Sequence, residues 1–397
     1  MKNTVRIKNM GLRGVPVADT KISFIDGLKG ILIYRGYRIE ELAEKSSFVE
    51  TAYLLLNGTL PRTKELEQFN AELVASRKLP DFILKSFRNW PKNAAPMDVL
   101  QASLPLLAMA DPELMDETRD ANVRKAIRII ARMPAILAGW HRIRNGLDPL
   151  PPDHALSHTA NFLWQLHGRK PDVHMAKDLD VCMILHAEHT FNASTFACRE
   201  VVSTRAHMYA GVSAGIGALS GSLHGGANAK VMEMLFQIEK EISSEDDIAK
   251  WVKQKMDRGE KMMGMGHAVY KTFDPRSIIL KEICRRLAVE TGHMKWYRWL
   301  SRIEEECHRE FERKGKSWIK SNVDFYAGLL YAMMDIPVDL MTPMFALSIV
   351  TGWCSHVIEE KFAEAQEKPV LYRPEADYVG DYCGAMGCEY KSVDQRG

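Results

Sequence analysis

Three short stretches carry residue types suited to acid–base work on a carbonyl compound. The first, Ser220-Gly-Ser-Leu-His-Gly-Gly-Ala-Asn228, centres on His224. Its glycines let the backbone take unusual dihedrals and let a ligand come close. A helix opening at Asn228 or its neighbours would aim unpaired N–H groups at the same spot, as an anion or oxyanion site does. A helix-breaking loop with a solvated histidine fits this nonapeptide equally well. The second stretch, Met263-Gly-Met-Gly-His-Ala-Val-Tyr-Lys-Thr-Phe-Asp-Pro-Arg276, sets His267 beside two glycines and within ten residues of Lys271 and Arg276. Such a cluster offers an anionic substrate a guanidinium fork, a point charge and a hydrogen-bond donor; a surface turn with ordinary basic residues is the other reading. In the third, Asp324 lies among Val323, Phe325 and Tyr326 at the start of an apolar helix. A carboxylate there caps the helix or, in a dry pocket, has a raised pKa and serves as a general base. His186-Ala-Glu-His189 places two histidines at i, i+3, but His-Glu-x-x-His is absent and no third ligand has suitable spacing, so no metal is expected. His189 reads instead as a donor to a carboxylate.

These side chains need rigid elements behind them, and the pattern supplies helices. Ile22–Ile25 and Ile31–Tyr34, around Asp26-Gly27, read as one small hairpin within Thr20–Tyr37. Ser47-Phe48-Val49-Glu50 is a capping box ahead of an apolar stretch that stops at Asn57-Gly58. Helical spacing then recurs over 63–78, 97–110, 122–144, 155–166, 176–184, 208–219, 229–239, 244–259, 275–289, 294–313, 322–334 and 341–366. Gly and Pro between these segments supply the breaks. The fold class is therefore mainly α with a small N-terminal β-hairpin. There is no Gly/Ser linker, so a second domain must arise as an insertion between helices.

Bulk composition excludes several classes. The chain has 397 residues, 46% hydrophobic and 26% charged, long enough for one large domain and a smaller one. A net charge of +2 gives no case for nucleic acid, and any anion site must be a local cluster. Seven cysteines without a Cys-x-x-Cys pair, Cys383 and Cys388 among them, are expected as reduced thiols in a cytoplasmic protein. No apolar h-region follows the basic N-terminus, and the most apolar runs, such as Phe325 to Met334, fall short of the ~18 residues of a membrane span. A soluble protein without a membrane partner is expected.

Taken together, the sequence resembles the citrate synthase family over nearly its whole length. The resemblance begins at Tyr34-Arg-Gly-Tyr37, Ile39-Glu-Glu-Leu-Ala43 and Pro96-Met-Asp-Val-Leu100. It runs on through His186-Ala-Glu-His189, Asn192-Ala-Ser-Thr-Phe196 and Leu223-His-Gly-Gly-Ala-Asn228. It closes with Gly266-His-Ala-Val269, Asp274-Pro-Arg276, Val323-Asp-Phe-Tyr326 and Tyr372-Arg-Pro374. The resemblance implies a two-domain helical fold: a large domain of residues 1–226 and 331–397 that forms a homodimer, and a small CoA-binding domain of 227–330 that closes over the site. It implies an acyltransferase joining acetyl-CoA, oxaloacetate and water into citrate and CoA, with no cofactor beyond the thioester substrate.

In that reading Asp324 removes a methyl proton, His224 stabilises the enol, and His267 polarises the ketone of the 2-oxoacid. His189, Arg276 and Arg373 match positions that hold its carboxylates, Arg373 from the other subunit, and Lys271 matches a position near the CoA phosphates. One departure bears on specificity. The helix Phe345-Ala-Leu-Ser-Ile-Val-Thr-Gly-Trp353 has Ile349 where the family carries a carboxylate-binding arginine, and Pro374 is followed by Glu375 where an arginine is common. This leaves 2-methylcitrate synthesis, or condensation with another 2-oxoacid, as an alternative, and a non-catalytic CoA-binding paralogue as one of another class.

Overall fold

The computed structural model describes residues 11, 12, 14–381 and 384–396. Residues 1–10, where a leader was weighed, and Cys383 lie outside the described residues. Alternating burial of Ile31–Tyr34 builds the hairpin: Leu32 and Tyr34 face the core while Ile31 and Ile33 are half-covered. Strands β1 (Ser23–Asp26) and β2 (Ile31–Tyr34) pair antiparallel with Asp26 opposite Ile31. A two-residue strand β3 (Tyr37–Arg38), too short to leave a periodic signal, adds to β2.

Sixteen α-helices follow among the described residues. Helices α1 (Ile39–Lys45) and α2 (Phe48–Asn57) come first; Ser47 caps α2 by accepting the Glu50 N–H, and Gly58 ends it in the left-handed region. Next are α3 (Thr63–Ala75), α4 (Asp81–Asn89), α5 (Pro96–Met109), α6 (Arg119–Arg144), α7 (His158–His167) and α8 (Val173–His186). Then come α9 (Ala193–Ser203), α10 (Met208–Ser220), α11 (Ala227–Glu241), α12 (Ile248–Asp257), α13 (Pro275–Glu290), α14 (Met294–Arg313), α15 (Val323–Met333) and α16 (Met341–Phe362). Three of these, α1, α4 and α9, were not among the helical segments expected. α1 and α4 are short, α4 burying Ile83 and Phe87 alone, and α9 is rich in Ser, Thr, Ala and Cys, so none carries a long apolar repeat. α11 to α15 pack mainly on one another, with α13 and α11 both against α15. α5, α6, α9 and α10 surround α16.

α16 is the core helix. It is buried from Met341 to Glu360 apart from Thr342 and Phe345, so it shows no polar face. The stretch Val338–Phe362 is long and apolar enough to cross a membrane by length and composition, which the reading of the sequence overlooked; 94% of its apolar window is packed inside the protein. It ends at Phe362, earlier than expected, because Ala363 turns left-handed with φ 51°. Where α16 carries charge it is paired: Arg199 of α9 donates to Glu359 at 2.7 Å and lies 2.7 Å from Glu360, all three fully buried.

The cysteine expectation needs one correction. Cys182, Cys198, Cys284, Cys307 and Cys354 are free and buried, but Cys388 is disulfide-bonded. It sits in the extension after α16, whose side chains are nearly all exposed, where a covalent link stands in for a core.

Candidate active site

His224 leaves the C-terminal end of α10 in a tight turn, its N–H donating to the Gly221 carbonyl at 2.9 Å. Its Nε2 receives the backbone N–H of Ser194 at 3.2 Å and lies 2.8 Å from Ser194 Oγ. A backbone N–H can only donate, so Nε2 is the bare nitrogen and the ring proton sits on Nδ1. Burial lowers the pKa of His224, which keeps the ring neutral. Ser194 is itself fixed: its Oγ shares its one proton between His224 Nε2 and Asn192 Oδ1, which lies 2.7 Å away, and accepts from Trp353 Nε1 at 3.1 Å. His224 thus offers Nδ1–H as an oriented neutral donor.

His267 is set by its own loop. Nδ1 accepts the N–H groups of Val269 at 3.0 Å and Tyr270 at 3.2 Å, so the neutral ring carries its proton on Nε2. Burial, helped by the Arg276 charge, pushes its pKa down to about 4. His189 meets it with ring centroids 5.1 Å apart, and its Nε2 lies 3.4 Å from the Tyr270 hydroxyl. Burial and then Arg276 hold His189 well below the usual histidine range, so it gives a hydrogen bond but no charge.

Arg276 opens α13 and is clamped by Asp274, Nε to Oδ1 at 2.9 Å and Nη2 to Oδ2 at 2.8 Å. Burial alone would raise the Asp274 carboxyl; the guanidinium outweighs it and holds the pKa low. The guanidinium carbon lies over Tyr270, 5.9 Å from the ring centroid. This is the fork expected from the sequence, already oriented by a buried partner.

Asp324 lies in the first turn of α15, but Asn322 is the cap, its side chain accepting the Asp324 N–H at 3.0 Å. Relieved of capping, Asp324 leaves Oδ1 buried without a hydrogen-bond partner among the described residues. Burial raises its pKa to about 6 against the opposing pull of Arg276. The segment before Asp324 runs beside the one before His267. Met265 bridges Ser321, the Gly266 N–H donates to the Lys320 carbonyl at 2.8 Å, and Asn322 Nδ2 donates to the Gly266 carbonyl at 2.8 Å. Gly264 is required there, because φ is +73° and a Cβ would stand 2.7 Å from Phe325.

Phe345 of α16 bounds the site, its ring 5.2 Å from that of His186 and 6.4 Å from that of His224. Ile349, one turn further along α16, is fully buried. His186 and His189 point to different partners, His186 Nδ1 donating to its own helix at Cys182 O, 2.8 Å. The structure therefore brings His189 and His267 together, with Arg276 and its charge acting on both and on Asp324, while His224 is held by Ser194 and faces Phe345. Lys271 and Arg373 are exposed, the latter on the extension after α16. Ser194, Asn192, Trp353, Tyr270 and Asp274 were not singled out as site residues. An Asn cap with a serine two residues on, before α9, was the one local signal available for the first pair.

The family profile described as "Citrate synthase, C-terminal domain" matches residues 11–375. A citrate synthase of Haloferax volcanii is 43% identical over 390 residues, covering 97% of this chain and 98% of that one. The crystal structure of citrate synthase from Pyrobaculum aerophilum is 36% identical and superposes with a TM-score of 0.89, covering 97% and 95% of the two chains. The citrate synthase of Thermoplasma acidophilum, in ternary complex with carboxymethyl coenzyme A and oxaloacetate, is 32% identical with a TM-score of 0.85, covering 96% and 98%.

Proposed function

The chain belongs to the citrate synthase family, and from that premise we propose that Asp324, His224 and His267 carry out its reaction. The reaction is the condensation of acetyl-CoA with oxaloacetate and water to citrate and CoA, an acyl transfer that needs no cofactor beyond the thioester substrate. The observation that carries the residue assignment is Asp324, a carboxylate with a pKa near 6 in the field of Arg276, one oxygen of which is buried without a hydrogen-bond partner among the described residues.

Asp324 takes a proton from the methyl carbon of acetyl-CoA. His224 donates Nδ1–H to the thioester oxygen as negative charge gathers on it, which the weak carbon acid requires. The enol carbon attacks the ketone carbon of oxaloacetate, whose oxygen receives the His267 Nε2 proton. Water then adds to the citryl thioester carbonyl, and CoA leaves as its thiol. His189 and Arg276 hold the oxoacid, and Lys271 lies near the CoA phosphates. Residues 227–330 form the small domain that closes over both substrates and keeps water out until carbon–carbon bond formation is complete. A cytoplasmic homodimer is the assembly this reading entails. The test is a panel of acetyl- and propionyl-CoA crossed with several 2-oxoacids, read by thiol release. Acetyl-CoA with oxaloacetate should be the preferred pair; preference for propionyl-CoA would move the assignment to 2-methylcitrate synthesis.

Arg373 completes the site from the other subunit, which its exposure within a single chain supports. Mixing Arg373→Ala subunits with Asp324→Asn subunits should regenerate activity from two nearly inactive parents, because each heterodimer holds one site with both residues. Confirmed subunit exchange without regained turnover would count against a shared site.

A further inference from the structure

We propose that the β1–β2 hairpin is a positioning element of this active site, its base holding the His189 segment and its turn holding the His267 loop. The inference rests on the roles proposed above for these two histidines. At the base, Ser23 Oγ donates to Glu188 Oε1 at 2.8 Å and accepts the Thr190 N–H at 3.2 Å. The Tyr34 hydroxyl donates to the Glu188 carbonyl at 2.7 Å. The two neighbours of His189 in the chain are thus tied to β1, and one of them to β2. Thr190 needs holding: its φ of 51° is left-handed, which a β-branched residue adopts only when its surroundings impose it.

At the other end, the turn lies against the His267 loop backbone to backbone. The Lys271 N–H donates to the Gly27 carbonyl at 2.8 Å. A Cβ on Gly27 would stand 2.4 Å from the Val269 carbonyl oxygen, and one on Gly30 2.8 Å from that of Phe273. Val269 is one of the two residues whose N–H groups fix His267 Nδ1. Asp26 shapes the turn, accepting the Leu28 and Lys29 N–H groups at 3.0 Å each. One strand pair therefore joins the segment of His189 to the loop of His267, and the 5.1 Å between their rings is set across it. Once residues 227–330 have closed, two histidines that grip one small oxoacid need such a fixed separation, since a displacement of about 1 Å in a reacting constellation costs up to about 10²-fold in rate.

Gly27→Ala tests this cleanly, because the Gly27 dihedrals suit any residue and only the contact with Val269 forbids a side chain. Expected are a fall in kcat of tenfold to about 10²-fold and a raised oxaloacetate KM, with the acetyl-CoA KM and the melting temperature nearly unchanged. Ser23→Ala, acting at the base and adding no bulk, should raise the oxaloacetate KM in the same direction. Leu28→Ala, on a side chain 79% exposed at the same turn, should change nothing. A Gly27→Ala enzyme with normal kcat and oxaloacetate KM overturns the proposal, as does a lower melting temperature with unaltered kinetics in both Gly27→Ala and Ser23→Ala. Full activity of His267→Ala would instead overturn the site assignment, and this proposal with it.

Discussion

Asp324→Asn should lower turnover by about 10²–10⁴, the usual worth of a positioned acid–base group, while both substrates still bind. Asparagine keeps the shape and the place in the first turn of α15 but cannot take a proton. The wild-type rate should fall as pH drops through about 6, where the raised carboxyl becomes protonated. His267, held near 4, titrates only below that. The same shift has a stability consequence of definite sign. The folded pKa, about 6, lies above the ordinary aspartate value of 3.8, so between the two the folded protein keeps this proton while the unfolded chain has lost it. The contribution is full below about pH 4, is lost as pH rises to about 6, and stays lost above. At pH 7 the buried charge therefore costs about 2–3 kcal/mol. Asp324→Asn should accordingly melt at a higher temperature than wild type at pH 7 and show little gain near pH 4. A variant with near-normal turnover would remove Asp324 from the chemistry.

Reading the sequence worked where the cause is local. Gly58 ends α2 in the left-handed region and Asp274-Pro275 opens α13, because caps and stops act over a few residues. The proposed trio drew notice in the sequence because histidines in glycine loops and a carboxylate on an apolar helix are locally costly arrangements that call for a reason. What stayed hidden depends on contacts distant in the chain. Ser194 reaches His224 across 30 residues and Trp353 across 159, and each is an ordinary core residue when its own segment is read alone. The hairpin was visible as a hairpin, but its contact with the His267 loop joins residues with no common pattern. The neutral state and tautomer of each histidine depend likewise on which backbone N–H groups the fold delivers.

Ile349→Arg should lower the oxaloacetate KM by about tenfold or more, the usual worth of a charge-assisted hydrogen bond to a carboxylate being ~1.5–3 kcal/mol. Positive charge near the oxoacid is scarce here. His189 is kept neutral by burial, and Arg276 already shares its guanidinium with Asp274. Within one chain that leaves a single, partly neutralised cation for a dicarboxylate, so the wild-type KM should be high and kcat less affected, since the trio lies elsewhere. A guanidinium at position 349 would project between Phe345 and Gly352. Glu188 Oε2 lies beside Gly352, where a Cβ would stand 2.3 Å from it, and that oxygen is buried without a hydrogen-bond partner among the described residues. In the free enzyme the new cation would pair with Glu188 rather than stay isolated, which reduces the penalty of placing it in a dry core. Arginine is also longer than isoleucine, and overpacking typically costs ~1–3 kcal/mol of stability. Ile349→Met, similar in size and uncharged, separates bulk from charge: it should leave the oxaloacetate KM where it is. An oxaloacetate KM that falls equally in both variants would trace the effect to packing. Tight binding in the wild type, abolished by Ile349→Arg, would mean that another cation holds this carboxylate and that Ile349 is part of its enclosure.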